Sequence, residues 1–225
     1  MKEKENINQL MLDLMNRNLC KKYDVELFKK HIDECDLNIQ NIDDETPIMY
    51  ILRNNYFFNI FFTKEKVLEL MKKSDFEIKN KEKESFLFIM IKENKNNHLN
   101  FTIDEMYPFL NGNMAQDAEF DVNLFVIFVY HCFNDCPQKL LKNLWMQLEE
   151  EKQQKNFQIL ACNKKYEVVN FLLYDCLFQP SQQMIEYFQE EKRTDILGLI
   201  KTRNILVQLG NELNTKEEKV LKSKI

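Results

Sequence analysis

The feature that most constrains the fold is a self-similarity within the first half of the chain. The segment that begins at Asp36, DLNIQNIDDETPI, aligns without gaps with the segment that begins at Asp75, DFEIKNKEKESFL, at an offset of 39 residues. Asp, Ile, Asn, Glu and a hydroxyl residue recur in register, and an apolar helical stretch follows each segment. Self-similarity at such a period is typical of repeat proteins, in which each helical unit stacks on its neighbours.

The pattern extends along nearly the whole chain. The first core position of successive units falls at Leu10, Ile48, Leu87, Leu124, Phe157 and about Met184. We therefore predict an all-α fold, an α-solenoid of about six stacked helix pairs. It would form one domain over residues 1–214, with units near 7–35, 36–74, 75–111, 112–147, 148–179 and 180–214. Residues 215–225 are predicted to be a Lys-rich C-terminal helix or tail, in which Thr215 and Glu218 form the capping box of a short helix.

Helix boundaries follow from local signals. Thr63 is predicted to precede a second helix of the first aligned unit, and Pro180 with Ser181 to open the sixth unit. Pro137 suits the first position of a helix. Pro108 falls inside the apolar stretch Ile103–Leu110, so a helix there is expected to start late or to kink.

Glycine is scarce, and this excludes several classes of protein. The chain has only three glycines, Gly112, Gly198 and Gly210. Hairpin-rich barrels and glycine-rich phosphate loops need residues that tolerate positive φ. Neither GxGxxG nor GxxxxGK[ST] occurs, so the usual nucleotide-binding loops are absent from the sequence.

Two motifs resemble the ankyrin repeat, a turn followed by T-P-L-H-x-A and a second helix. Thr46-Pro47-Ile48 stands at the T-P-L position, and the sequence EVVNFLL over 167–173 looks like the second helix of a repeat. Glu45 and Glu84 occupy positions where the family favours glycine, so we expect degenerate hairpin fingers. The Phe-rich stretch Asn54–Thr63 is an insertion between helices. Its apolar residues 56–62 either fold back onto the core or form an exposed hydrophobic contact site, and we expect the core.

The resemblance implies a non-catalytic scaffold that presents a curved repeat surface to a protein partner. In this family the finger tips and the first helices carry the binding residues. We therefore expect contacts with a partner at two finger tips. The candidate residues are Asn41, Asp43, Asp44 and Glu45 in the first finger, and Asn80, Lys81, Glu82 and Lys83 in the second.

An alternative is an inhibitory or dormancy-type factor that docks on a large ribonucleoprotein assembly such as the ribosome. There the basic tail would reach RNA through Lys216, Lys219, Lys222 and Lys224. Nucleic-acid binding by the rest of the chain is not expected, because the pI is about 5.4 and arginine occurs at only four positions. The excess of lysine over arginine is typical of an AT-rich genome.

Metal binding and catalysis find little support in the sequence. His31 and Cys35, like Cys132 and Cys136, have the i,i+4 spacing of two ligands on one helix face, but the pairs fall in different units. A partial zinc site at His131, Cys132 and Cys136 would lack a fourth ligand. No nucleophile and base form a recognisable pair. We predict no metal, no cofactor and no enzyme activity.

The cysteines and the hydropathy pattern bear on location. The six cysteines show no spacing typical of a disulfide framework, so reduced thiols in the cytoplasm are expected. The N-terminal residues have no apolar core of a signal peptide. The longest apolar run, Leu124–Tyr130, is too short to cross a membrane.

Overall fold

The computed structural model describes residues 2–17, 22–54, 62–94, 99–114 and 123–222. Within these ranges the chain forms twelve α-helices and no strand, which confirms the all-α prediction. The helices are α1 (Lys2–Asn16), α2 (Lys22–His31), α3 (Pro47–Asn54), α4 (Lys64–Met71), α5 (Phe86–Glu93), α6 (Ile103–Leu110), α7 (Leu124–Cys132), α8 (Gln138–Trp145), α9 (Glu150–Cys162), α10 (Tyr166–Tyr174), α11 (Gln182–Glu190) and α12 (Thr194–Lys222).

The chain divides into two compact units, Met1–Pro137 and Gln138–Ile225. Local sequence signals do not indicate a division here, because Pro137 by itself predicts only the start of a helix. The helix does begin next to it, at Gln138. The continuous domain over 1–214 stays a prediction.

Three short apolar helices form the centre of the first unit. Helix α5 packs against both α3 and α7, and α1 also contacts α3. Residues 47–52 of α3 and 86–91 of α5 are all buried. A helix that is buried around its whole circumference needs apolar side chains on every face, which explains the unbroken sequence FLFIMI in α5.

The 39-residue offset seen in the sequence is also present in the helix boundaries. Helices α3 and α5 begin 39 residues apart, as do α4 and α6. Thr63 and Thr102 are the matching N-caps, and each hydroxyl accepts a hydrogen bond from a backbone N–H of the first turn. The predicted boundary at Thr63 is thus confirmed.

The expected late start of the helix around Pro108 is wrong. Helix α6 begins at Ile103, because Thr102 and Glu105 form a capping box that satisfies backbone N–H groups on both sides of the helix start. Pro108 lies inside the helix. Because proline has no backbone N–H, it cannot donate the helical hydrogen bond to the carbonyl of Asp104.

The second unit is built from helical hairpins. Helix α9 packs against α10, and α12 packs against both α10 and α11. Its core is aromatic: the Trp145 and Phe178 rings meet edge to face at 5.3 Å, and the Phe157 and Phe178 rings lie 4.9 Å apart. Ser181 caps α11, as the sequence predicted.

Helix α12 is continuous from Thr194 to Lys222, so the separate capped helix predicted after Thr215 is wrong. No proline interrupts this stretch, and Leu, Glu and Lys around Thr215 favour helix. Beyond Arg203 the helix exposes a row of apolar side chains, Ile205, Leu206, Leu209 and Leu213.

Candidate functional site

The candidate site is built on a tight turn between α2 and α3. The Asn41 side-chain oxygen accepts hydrogen bonds from the backbone N–H groups of Asp43 and Glu45, both at 2.9 Å. The Asn41 backbone N–H donates to the Glu45 carbonyl at 3.0 Å, which closes the turn. An Asn side chain that folds back on its own backbone in this way replaces hydrogen bonds that a loop would otherwise make with water.

A second turn, between α4 and α5, repeats this geometry 39 residues later. The Asn80 side-chain oxygen accepts from the Glu84 backbone N–H at 2.9 Å, and the Asn80 N–H donates to the Glu84 carbonyl at 3.1 Å. The sequence match between the two segments therefore reflects a shared backbone conformation.

Neither turn contains glycine, yet each contains one residue with a left-handed backbone. These residues are Asp44, with φ of 58°, and Lys83, with φ of 60°. The resemblance to the ankyrin repeat predicts glycine one position later in each turn, where Glu45 and Glu84 stand. Both turns are closed by equivalent hydrogen bonds, so the lack of glycine has not made these two turns irregular.

The two turns lie directly against each other. The Lys81 backbone N–H donates to the Asp43 carbonyl at 3.2 Å, and the Gln40 side-chain amide donates to the carbonyls of both Asp44 and Lys79. The Lys81 ammonium lies 3.6 Å from the Asp43 carboxylate. The first turn is also tied to α1, because the Ile42 N–H donates to the Asn16 side chain at 3.0 Å.

Arg53, at the end of α3, holds both turns through three carboxylates. Its guanidinium lies 2.9 Å from Glu45, 2.7 Å from Glu82 and 2.7 Å from Glu84. Glu84 also accepts from the Lys92 ammonium at 2.8 Å. A guanidinium has donors on several edges of one plane, so it can bind several carboxylates at once.

The carboxylates of this cluster differ in their electrostatics. Burial raises the pKa of Glu45, and the nearby Arg53 offsets only part of that effect. The hydrogen bond from Arg53 lowers the pKa of Glu82, which is the more exposed of the two side chains.

A groove of about 490 Å³ runs beside the turns. Met15, Asn16, Tyr50, Arg53 and Asn54 contribute to its wall. The two turns contribute Asn41, Ile42, Asp43, Glu45, Asn80, Lys81 and Glu82. Six of the eight finger residues predicted from the sequence therefore line one concave surface.

The predicted finger residues fall into two groups. Asn41, Glu45 and Asn80 are buried, and their hydrogen bonds and ion pairs hold the turns and the ion cluster together. The exposed group is Asp43, Asp44, Lys81, Glu82 and Lys83. The exposed group offers the side chains that a partner can reach, and within it Glu82 also binds Arg53 and Asp43 also pairs with Lys81.

Sequence reasoning missed six residues of the groove. They are Met15, Asn16, Ile42, Tyr50, Arg53 and Asn54. Ile42 carried a usable signal, since a large apolar residue at a turn tip is unusual, and its side chain is 62% exposed. The contribution of Arg53 depends on contacts with residues about 30 positions away, which no local pattern indicates.

A second cleft of about 410 Å³ lies elsewhere in the first unit. Its wall includes Ile91, Phe101 and Met106, and the considered zinc ligands His131 and Cys132 border it. Within the described residues, no group of three or more His, Cys, Asp or Glu side chains could hold a metal ion.

Two predictions fall outside the described part of the chain. Of the Phe-rich residues 56–62, only Phe62 is described, and its ring lies 6.3 Å from that of Phe28. The helix backbone reaches Lys222, but the side chains of Lys216, Lys219 and Lys222, and all of Lys224, lie outside the described residues. The RNA-contacting tail stays a prediction.

Comparison with known proteins adds no relative. No family model, no curated protein and no solved structure matches the chain. Of the helices formed by the described residues, none combines the length and the apolar character needed to cross a membrane.

Proposed function

We propose that the chain is a non-catalytic protein-binding module of ankyrin-like helical repeats, which binds a segment of a partner protein in the groove beside its two stacked turns. The observation that carries the proposal is the groove itself. It combines one exposed apolar side chain, Ile42, with amide and charged groups along the same surface. Binding surfaces in proteins commonly join an apolar anchor to surrounding polar groups in this way.

The rigidity of the turns supports the proposal. Asn41 and Asn80 fix the two backbones, and Arg53 joins both turns to α3. A surface held in this way loses little conformational freedom when a partner binds, so more of the contact energy appears as affinity.

The repeat geometry supports a scaffold rather than an enzyme. The equivalent turns, helix pairs and N-caps at one offset suggest units that each contact mainly their neighbours. We place this scaffold in the cytoplasm, and the free thiols of Cys35, Cys162 and Cys176 are compatible with a reducing compartment.

Affinity capture from a native extract tests the proposal. The bait is the full chain, washed at low and at high salt, with bound proteins identified by mass spectrometry. The Ile42→Lys variant alters the groove, and Tyr23→Lys is its matched control, because Tyr23 is 73% exposed and does not line the groove.

We expect one set of proteins to bind the wild type and the Tyr23→Lys variant but not the Ile42→Lys variant. Both substitutions replace exposed side chains, so both variants should keep the melting temperature of the wild type. Equal capture by all three baits would show that the groove is not the binding site.

A further inference from the structure

The charges that line the groove do not balance. Lys81 lies beside Asp43, Arg53 beside Glu45, and each of these pairs cancels. Arg53 also lies 2.7 Å from Glu82, so three carboxylates share two cations on the groove wall and one negative charge is in excess. The Glu82 side chain is 52% exposed. Beyond the wall, Glu84 is matched by Lys92 in the same manner.

Two helix ends add negative potential to the same surface. Helix α1 ends at Asn16 and helix α3 ends at Asn54, and both of these residues line the groove. The C-terminus of an α-helix carries roughly half a negative charge, because its last carbonyl groups have no partner within the helix. The last turn of α1 contains no basic residue, and the exposed Arg17 follows the helix directly. The last turn of α3 contains Arg53, which offsets part of the charge at that end, so the end of α1 contributes more of the negative potential.

We propose that the groove binds a lysine or arginine side chain of the partner segment, whose cationic head lies between the carboxylates of Asp43 and Glu82 near the end of α1. This inference rests on the groove being the binding site put forward above. The Asp43 and Glu82 side chains are 65% and 52% exposed, so they remain accessible to a second cation.

The same electrostatics disfavour an acidic ligand. A carboxylate or phosphate in the groove would face Asp43, Glu45 and Glu82 as well as the two helix ends. Arg53 offers limited compensation, because its guanidinium already binds three carboxylates of the chain.

Selection from a phage library of random linear peptides tests the inference on the full chain. Each selected peptide is synthesised, and its affinity is measured by fluorescence polarisation. The test variant Asp43→Asn/Glu82→Gln removes two charges from the groove. Its control, Glu26→Gln/Glu77→Gln, removes two charges from exposed positions that do not line it.

We expect peptides that lose binding to the Ile42→Lys variant to share a Lys or Arg at one position. Their Kd should rise roughly tenfold in the test variant and stay unchanged in the control. Groove peptides without a shared basic position, or an unchanged Kd in the test variant, would overturn this inference alone. Recovery of no peptide, or only of peptides that bind the Ile42→Lys variant normally, would instead count against the proposed function.

Discussion

At the scale of single residues, the chain makes left-handed turns with side chains other than glycine. Besides Asp44 and Lys83, the residues Lys164, Leu177 and Lys192 have φ between 54° and 57°. A side chain in this conformation brings its Cβ close to the following carbonyl oxygen, at a cost of roughly 1–2 kcal/mol. Glycine would avoid that cost. Because these positions hold other residues, the sequence does not indicate that the backbone is left-handed there.

Lys192 provides a test of this strain. Replacing Lys192 by Gly should raise the free energy of unfolding by about 0.5 kcal/mol, because relief of strain exceeds the added entropy of the unfolded chain. The neighbouring Glu191 has φ of −75°, so Glu191→Gly should instead destabilise the protein. Thermal unfolding of both variants measures the difference, and equal effects would contradict it.

The buried asparagines of the turns are predicted to serve stability. In the Asn41→Ala variant the N–H groups of Asp43 and Glu45 lose their acceptor, which should lower the free energy of unfolding by about 2 kcal/mol. Denaturant titration checks this value. Ile42→Ala, at an exposed neighbouring position, should change the stability far less. A neutral effect of Asn41→Ala would mean that these hydrogen bonds do not hold the turn.

At this scale the sequence indicated six of the residues that line the groove, but not which of them are accessible. Asn41 and Asp43 look equally polar in the sequence, yet Asn41 is buried and Asp43 exposed. The difference arises because the Asn41 side chain bonds to its own turn, and that choice depends on a backbone conformation that residue type alone does not fix.

At the scale of elements, Arg53 joins α3 to both turns. Substituting Arg53 by Leu should lower the free energy of unfolding by about 2 kcal/mol, because Glu45 would stay buried without its cation. Adding Glu45→Leu should recover part of the loss. A double-mutant cycle measured by denaturant unfolding gives the coupling between the two residues. Additive losses would show that the ion pair does not link the elements.

A second polar cluster joins α10 to α12 in the second unit. Asp195 accepts from the Tyr166 hydroxyl at 2.7 Å and from the Arg193 guanidinium at 2.9 and 3.1 Å. The hydrogen bonds from Arg193, followed by the one from Tyr166, hold the pKa of Asp195 well below its usual range.

This cluster predicts a pH dependence of stability. Because the pKa of Asp195 is lower in the folded state than in the unfolded state, its contribution is present above about pH 4 and is lost at lower pH. Between about pH 5 and about pH 2.5 the wild type should lose about 1 kcal/mol more stability than Asp195→Asn, a modest value because the side chain is 37% exposed.

Thermal unfolding across this pH range measures the effect. The control Glu167→Gln removes an exposed carboxylate from the same unit and should follow the wild-type pH profile. Parallel profiles for the wild type and Asp195→Asn would contradict the prediction.

Several elements were predictable because their signals are local. The N-caps Thr63 and Ser181 are confirmed, and so is the helical character of the apolar stretches. The helix start at Ile103 and the continuity of α12 across Thr215 were not predicted correctly. Around Pro108, the tendency of proline to disrupt a helix competes with the capping box at Thr102, and the capping box decides where the helix begins. Around Thr215, a signal for a new helix start competes with the helix propensity of the neighbouring residues, and the propensity prevails.

At the scale of the whole molecule, the repeat offset was the most informative feature of the sequence. It predicted two equivalent turns and the helices beside them, and the structure contains both at the same offset. The division after Pro137 and the groove beside α1 were not predictable, because each depends on contacts between residues distant in sequence. The ankyrin-like solenoid and the protein partner remain proposals.

Site-specific photo-crosslinking tests the binding groove most directly. A benzophenone amino acid replaces Ile42 in one full-length variant and Tyr23 in another, and each is irradiated in native extract. Both positions are highly exposed in the first unit, but only Ile42 lines the groove. We predict a discrete crosslinked partner from position 42 and none from position 23. The same products from both positions, or none from position 42, would contradict the assignment of the groove as the binding site.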